Sequence, residues 1–141
     1  MKVQDIMTRQ VVGIEAGESV EVAARQLTHY NIGALPVTER GKLCGVITDR
    51  DLVTRCVAMG RPAAEVLVQD VMTRQVVSVS PDMDTAVAAH LMGRQQIRRL
   101  PVVENGKLCG MVSLADMACR EDCVIDAADA LGDISDNISR R

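Results

Sequence analysis

Apolar and polar residues follow one order along the chain, and that order is written twice. In the first copy a polar-led QDIMT segment precedes the β-branched run Val11-Val12-Gly13-Ile14, which predicts a strand. After a turn at Ala16-Gly17-Glu18, the residues Val20, Ala23, Ala24 and Leu27 fall at i, i+3, i+4 and i+7. That is one face of an amphipathic helix opening near Ser19, a residue suited to the N-cap. Ala34-Leu35-Pro36-Val37 predicts a strand start or an edge, because proline removes a ladder donor. Glu39-Arg40-Gly41-Lys42 supplies a turn, and Leu43-Cys44-Gly45-Val46-Ile47 is apolar without alternation, which predicts a strand buried on both faces. Thr48 then opens a second helix with apolar positions Leu52, Val53, Cys56 and Val57.

The second copy repeats this succession from QDVMT. Val76-Val77-Ser78-Val79 predicts its first strand, the turn is Ser80-Pro81-Asp82, and a helix opens near Asp84 with Ala88, Ala89 and Met92 on one face. Arg99-Leu100-Pro101-Val102 follows, then Glu104-Asn105-Gly106-Lys107, whose Asn-Gly pair is a strong hairpin signal. Val3–Arg55 aligns with Val68–Arg120 at a constant offset of 65 without a gap, and 24 of the 53 pairs are identical. Each repeat therefore reads strand, helix, strand, strand, helix. The predicted organisation is a first repeat over 1–59, a linker over 60–67, a second repeat over 68–122 and a helical tail over 123–141. The tail begins helix-like at Ala127-Ala128-Asp129-Ala130-Leu131 and turns polar after Gly132, where fraying is expected. A unit of this length is marginal alone. Two copies packed with pseudo-two-fold symmetry would bury each other's apolar faces and create paired clefts, in a mixed α+β or α/β fold.

Composition narrows the function. The chain has 141 residues, is 48% hydrophobic and contains one tyrosine, no phenylalanine and no tryptophan, so a planar ligand would be gripped by aliphatic side chains rather than stacked on rings. A net charge of −3 argues against bulk electrostatic binding of nucleic acid. No stretch approaches the ~18 apolar residues of a membrane span, and MKVQDIMTRQ has no apolar signal core, so a cytoplasmic protein is expected. The five cysteines Cys44, Cys56, Cys109, Cys119 and Cys123 form no CxxC and read as reduced, mostly buried thiols. No metal site is expected, and His29 and His90 occupy unrelated positions, at a helix end and on a helix surface.

The candidate chemistry lies at the strand-to-helix junctions. Gly45-Val46-Ile47-Thr48-Asp49-Arg50-Asp51 and Gly110-Met111-Val112-Ser113-Leu114-Ala115-Asp116 share the pattern G-h-h-[ST]-x-x-D, where h is apolar. The glycine lets another group approach the backbone. The hydroxyl and free amides suit an anion, and a carboxylate three residues on can accept from a ribose diol. The same spacing is also a helix capping box, and the pattern alone leaves both readings open. Arg98 and Arg99 precede the second Leu-Pro step, suited to phosphate or simply solvated; Gly33 and Ala34 take those places in the first copy and leave room for a pocket wall. Asp49 and Asp51 do not share a helix face, and no nucleophile, base and orienter set is visible. Met7 and Met72 read as core, or as lining of the cleft between repeats.

These residues together resemble a tandem pair of cystathionine-β-synthase (CBS) domains, a Bateman module. DIMT and DVMT, the two LPV steps, GKLCGVITDRD and GKLCGMVSLAD each occur in order and cover residues 1 to about 122. The chain is most similar to small stand-alone bacterial and archaeal CBS-pair proteins. The resemblance implies a non-enzymatic regulatory module that takes an adenosine-containing ligand (AMP, ADP or ATP, or else S-adenosylmethionine or NAD(H)) in clefts between the repeats. It implies ribose contacts at Asp51 and Asp116, and phosphate contacts at Thr48, Ser113, Arg98 and Arg99. It also implies an adenine pocket at Val12, Ile14, Gly33, Ala34, Val77 and Val79. No cofactor is required; the nucleotide is a regulatory ligand. A homodimer and an effector protein are the implied partners. The alternatives are a ligand-independent dimerisation scaffold and a nucleic-acid binder using Arg94, Arg98 and Arg99.

Overall fold

Hydrogen bonding within each repeat begins with the tight hairpin that the turn residues dictate. In the computed structural model, which describes residues 1–120 and 123–139, the strand β1 is Ile14–Glu15, β2 Ala34–Glu39, β3 Lys42–Thr48, β4 Arg99–Glu104 and β5 Lys107–Ser113. The helices are α1 Val20–Tyr30, α2 Asp49–Leu52, α3 Val68–Val71, α4 Thr85–Gln95, α5 Leu114–Ala118 and α6 Val124–Ser139. The last two residues of the second sequence repeat and the last two of the tail lie outside the described residues. β2 pairs antiparallel with β3, and β4 with β5, in matching registers such as Leu35 opposite Ile47 and Leu100 opposite Val112. Both hairpins turn through two residues of positive φ, Arg40 (55°) with Gly41 (80°) and Asn105 (53°) with Gly106 (79°). Two left-handed central residues match the twist of paired strands.

The helices start and stop where the side chains allow. Ser19 Oγ accepts from Val22 N (3.2 Å), and Asp84 Oδ1 accepts from Ala86 N (2.8 Å), so both expected N-caps are in place. α1 and α4 end on Asn31 and Gln96 in the left-handed conformation. α2 runs directly into a π-helical turn, Val53–Val57, which buries Cys56 and leaves Val53 and Val57 exposed.

Two compact units form, and their boundaries differ from those of the sequence repeats. The inner unit is Val12–Val76; the outer unit joins Met1–Val11 to Val77–Arg141. In the inner unit α3 puts Val68 and Val71 into the core with Ile14, Val20, Leu35, Val37 and Ile47. Backbone bonds fix this segment: Val20 N to Val66 O (2.8 Å), Val68 N to Glu18 O (2.8 Å) and a reciprocal pair between Val46 and Thr73 (2.9 Å each). In the outer unit the N-terminal segment makes the equivalent contacts. Val3 and Ile6 enter the core with Met92, Leu100, Val102 and Met117, and Thr8 exchanges backbone bonds with Met111 (2.8 and 2.9 Å).

The glycines of the G-h-h-[ST] pattern explain this docking. A Cβ on Gly45 would stand 2.6 Å from Met72 Sδ and 2.9 Å from Thr73 O; one on Gly110 would stand 2.7 Å from Met7 Sδ and 3.0 Å from Thr8 O. The group that approaches the backbone at these glycines is thus the Met-Thr dipeptide of the chain itself. Met72 is buried and Met7 partly buried on its core, which places both in the core reading.

Four elements differ from expectation. The first strand of the inner unit shrinks to Ile14–Glu15, paired in parallel with Val37–Thr38, and among the described residues Val11–Gly13 has no strand partner. In the second copy Val76–Val79 reduces to one parallel bridge, Val79 with Val102. In β3, Gly45 and Ile47 are buried while Leu43, Cys44 and Val46 are half-buried, so shielding alternates instead of covering both faces. The tail does not end its helix at Gly132: α6 continues to Ser139, because Ala127, Ala130 and Ile134 lay one stripe on the outer core below Cys123. Gly93 of α4 admits this helix closely, since a Cβ there would lie 3.2 Å from Ala130 Cα. Among the described residues no helix is long and apolar enough to cross a membrane.

Replacing Gly45 or Gly110 by alanine is expected to cost about 1–3 kcal/mol, the usual range for overpacking, read as a lower urea midpoint. The backbone carbonyl behind the flexible sulfur leaves little room for relaxation. Ile134→Ala is expected to cost about 2 kcal/mol or more through the cavity it leaves; an unchanged midpoint would show α6 to be an appendage.

Candidate functional site

Each junction is built by the end of a hairpin strand meeting a short helix. In the inner unit Thr48 Oγ1 accepts from Asp51 N (3.0 Å), while Asp51 Oδ2 accepts from Thr48 N (3.1 Å). Ser113 and Asp116 repeat this in the outer unit at 3.1 and 3.2 Å. Both capping boxes are therefore formed, and each hydroxyl keeps its own proton to donate. The loop before β2 or β4 is tied to the same point, by Asp49 N to Gly33 O (3.0 Å) and Leu114 N to Arg98 O (2.9 Å).

The carboxylates differ in what else they hold. Asp51 is buried, and Thr73 Oγ1 lies 3.3 and 3.4 Å from its two oxygens. Arg55 stands 3.8 Å from Asp51 Oδ1 and donates to the carbonyls of Val71 and Met72, both at 3.0 Å. Asp51 thus helps anchor the Met-Thr segment. Asp116 is half-buried, and its Oδ1 takes no hydrogen bond among the described residues. The spare acceptor is on the second copy. Arg55 and Thr73 were the residues that pattern reading missed; their recurrence as Arg120 and Thr8 was visible, but not what they would touch.

The positions before the Leu-Pro steps also diverge. The room expected above Gly33 is faced by the Asp49 carboxylate, 3.4 Å from where a Cβ would stand. Gly33 and Ala34 are exposed, so the first copy presents a carboxylate there. Arg98 and Arg99 are exposed, pair with no carboxylate among the described residues, and join Ser113 in lining a cleft of about 480 Å³ whose far wall is α6. Asp116, Val77 and Val79 do not line it.

The remaining candidates are placed by the cores. Ile14 and Val79 bury their side chains, and Val12 and Val77 pack partly against the same cores, so a ligand would meet mainly backbone there. Gln26 of α1 donates weakly to Gly13 O (3.4 Å), and its Oε1 is buried without a partner among the described residues. Cys44 and Cys109 hold equivalent places, each with Sγ 3.4 Å from a carbonyl of the neighbouring strand. Burial, then Glu39 and Glu104 respectively, push these thiols up, which leaves them protonated and weakly nucleophilic at neutral pH. His29 lies in the last turn of α1. His90 is exposed on α4, on a helix surface as expected, and borders a hollow of about 80 Å³ with Asp126, Asp129 and Asp133. Even so, among the described residues no group of three or more His, Cys, Asp or Glu is placed to hold a metal.

Comparison with known proteins agrees with this arrangement. The CBS domain pattern matches residues 3–58 and again 68–119. The CBS domain-containing protein YhcV of Bacillus subtilis (strain 168) is 40% identical over 133 residues, 94% of either chain. The crystal structure of Hypoxic Response Protein I with two coordinated zinc ions is similar at a TM-score of 0.77 and 28% identity, over 85% of this chain and 98% of that one. The CBS domain pair of protein MJ0100, in complex with 5′-methylthioadenosine and S-adenosyl-L-methionine, is similar at a TM-score of 0.71 and 27% identity, over 84% and 94%. With its paired junctions, matched hairpins and two pattern matches in tandem, the chain belongs to the CBS-domain family.

Proposed function

We propose that the chain is a non-enzymatic cytoplasmic sensor that binds an adenosine-containing ligand through the junctions of its two repeats. The observation that carries this reading is the outer junction. There a carboxylate with a spare oxygen and a hydroxyl stand at the β5–α5 junction, and two arginines without carboxylate partners among the described residues stand at the start of β4, tied to it by Leu114 N to Arg98 O. The ribose hydroxyls donate to the Asp116 carboxylate, and a phosphate is held by Ser113 with Arg98 and Arg99. The adenosyl ligands of the MJ0100 pair give the same class of ligand to a similar fold. AMP, ADP and ATP are the preferred candidates, because arginines favour phosphate over a sulfonium.

The inner junction is weaker for phosphate. Asp49 faces the place that Arg98 holds in the other copy, and Asp51 is already engaged by Thr73 and Arg55. The two junctions therefore differ in affinity. The bound state passes to an effector protein from a homodimer, for which the exposed Val53, Val57 and Met59 of the inner unit supply apolar surface.

A second reading rests on the capping boxes, in which hydroxyl, carboxylate and helix-start amides satisfy one another. In that reading the junctions only start helices and the protein is a dimerisation scaffold.

In a thermal melt against AMP, ADP, ATP, S-adenosylmethionine and NADH at millimolar concentration, an adenine nucleotide is expected to stabilise the fold. A ligand at 100 times its dissociation constant adds about 2.7 kcal/mol. Asp116→Asn, which keeps a cap acceptor, should weaken binding more than Asp51→Asn does. No shift from any ligand would remove the sensor reading, and equal affinities of the two junctions in calorimetry would remove the asymmetry. Thr48→Ala separates the scaffold: loss of the cap should lower stability by about 1 kcal/mol, and the scaffold reading expects no change in ligand response with it.

A further inference from the structure

The cleft behind Arg98 and Arg99 has a chemistry of its own. One wall is α5, through Leu114 and Ala118; the other is α6, through Val124, Ala128 and Leu131. At about 480 Å³ it has the size of a small-molecule site. Val124 and Leu131 are each left 45% exposed, although α6 has a buried stripe available on the outer core. Among the described residues, Ser113 and the two arginines are the lining side chains that carry hydrogen-bonding groups, so polar recognition is confined to the mouth. Asp116 is not part of it. Among the described residues no carboxylate lines the cleft, and Asp126, Asp129 and Asp133 of α6 line the separate hollow beside His90.

We propose that this cleft is a binding site for a single-chain amphipathic anion, a carboxylate whose head meets Arg98, Arg99 and the Ser113 hydroxyl and whose hydrocarbon body lies between α5 and α6. The apolar walls exclude a polar body, and the arginines select a negative head over a neutral or positive one. Burial of the exposed parts of Val124 and Leu131 supplies the drive for the hydrocarbon. The site is distinct from the proposed nucleotide site in everything but its charged mouth, and it stands without that reading.

Decanoate, decanol and decylammonium are the probes, titrated calorimetrically into the full chain below their aggregation concentrations. Decanoate is expected to bind once per chain, with decanol weaker and decylammonium silent. Arg98→Ala and Arg99→Ala should each weaken decanoate by about tenfold, the usual loss for one charge-assisted contact. Ala118→Phe and Ala128→Phe, at exposed positions on opposite walls, fill the cleft and should abolish binding while the melting curve still reports a folded protein. Asp116→Asn should leave decanoate affinity within twofold, which separates this site from ribose recognition. Absence of decanoate binding, equal binding of decylammonium, or binding that survives both phenylalanine variants would overturn the proposal.

Discussion

The structure depends on a close approach of two backbones. A Met-Thr dipeptide lies against a glycine of the hairpin strand, at Met72–Thr73 on Gly45 and at Met7–Thr8 on Gly110. Either threonine exchanges two backbone hydrogen bonds with the residue after the glycine, which fixes register as well as distance. Any side chain at the glycine would meet a carbonyl as well as a sulfur. That contact draws the preceding aliphatic residues, Val68 and Val71 or Val3 and Ile6, into their cores. In the inner unit it also delivers Thr73 to the Asp51 carboxylate. Folding contacts and the candidate ligand groups share a few residues, so the first copy's junction is committed to structure and the second is less so.

Divergence between the copies follows from small changes on an identical frame. Hairpin registers, turn conformations and capping boxes are repeated nearly atom for atom. What differs is charge: Asp49 over Gly33 in one copy, Arg98 and Arg99 at the other. A duplicated unit keeps the residues that its backbone geometry requires and is free to vary those that face outward. The sign of the potential at each junction is therefore independent of the fold that presents it.

Much of this was legible in the residues. The repeat, the hairpins, Ser19 and Asp84 as caps, and the paired hydroxyl and acid all follow from local patterns whose physics is local. Gly45 and Gly110 were legible as places of close approach, but not the partner, because Met72 and Met7 are distant in sequence and several groups could fill that space. Val79 reads as a strand by its β-branched neighbours, yet its pairing stops at one parallel bridge with Val102. Gly132 reads as a stop, but it meets nothing within 4 Å and Ile134 anchors the turn beyond it. The contact of Asp49 with Gly33 was hidden for the same reason: it joins a helix start to a loop, and only the folded hairpin sets their spacing.

The unit boundaries bear on the order in which the chain can acquire its structure. The inner unit is one unbroken stretch, Val12–Val76, so all of its contacts exist once that stretch has been synthesised. The outer unit joins the first residues to the last, with Val3 and Ile6 in the same core as Ile134. Its contacts span nearly the whole chain, and closing so long a loop is slow relative to local pairing. Until the residues from Val77 to Ile134 have been made, Val3 and Ile6 have no core to enter. The newborn protein therefore carries a finished half and an open one, and the open half is where a chaperone or an aggregating neighbour has its opportunity.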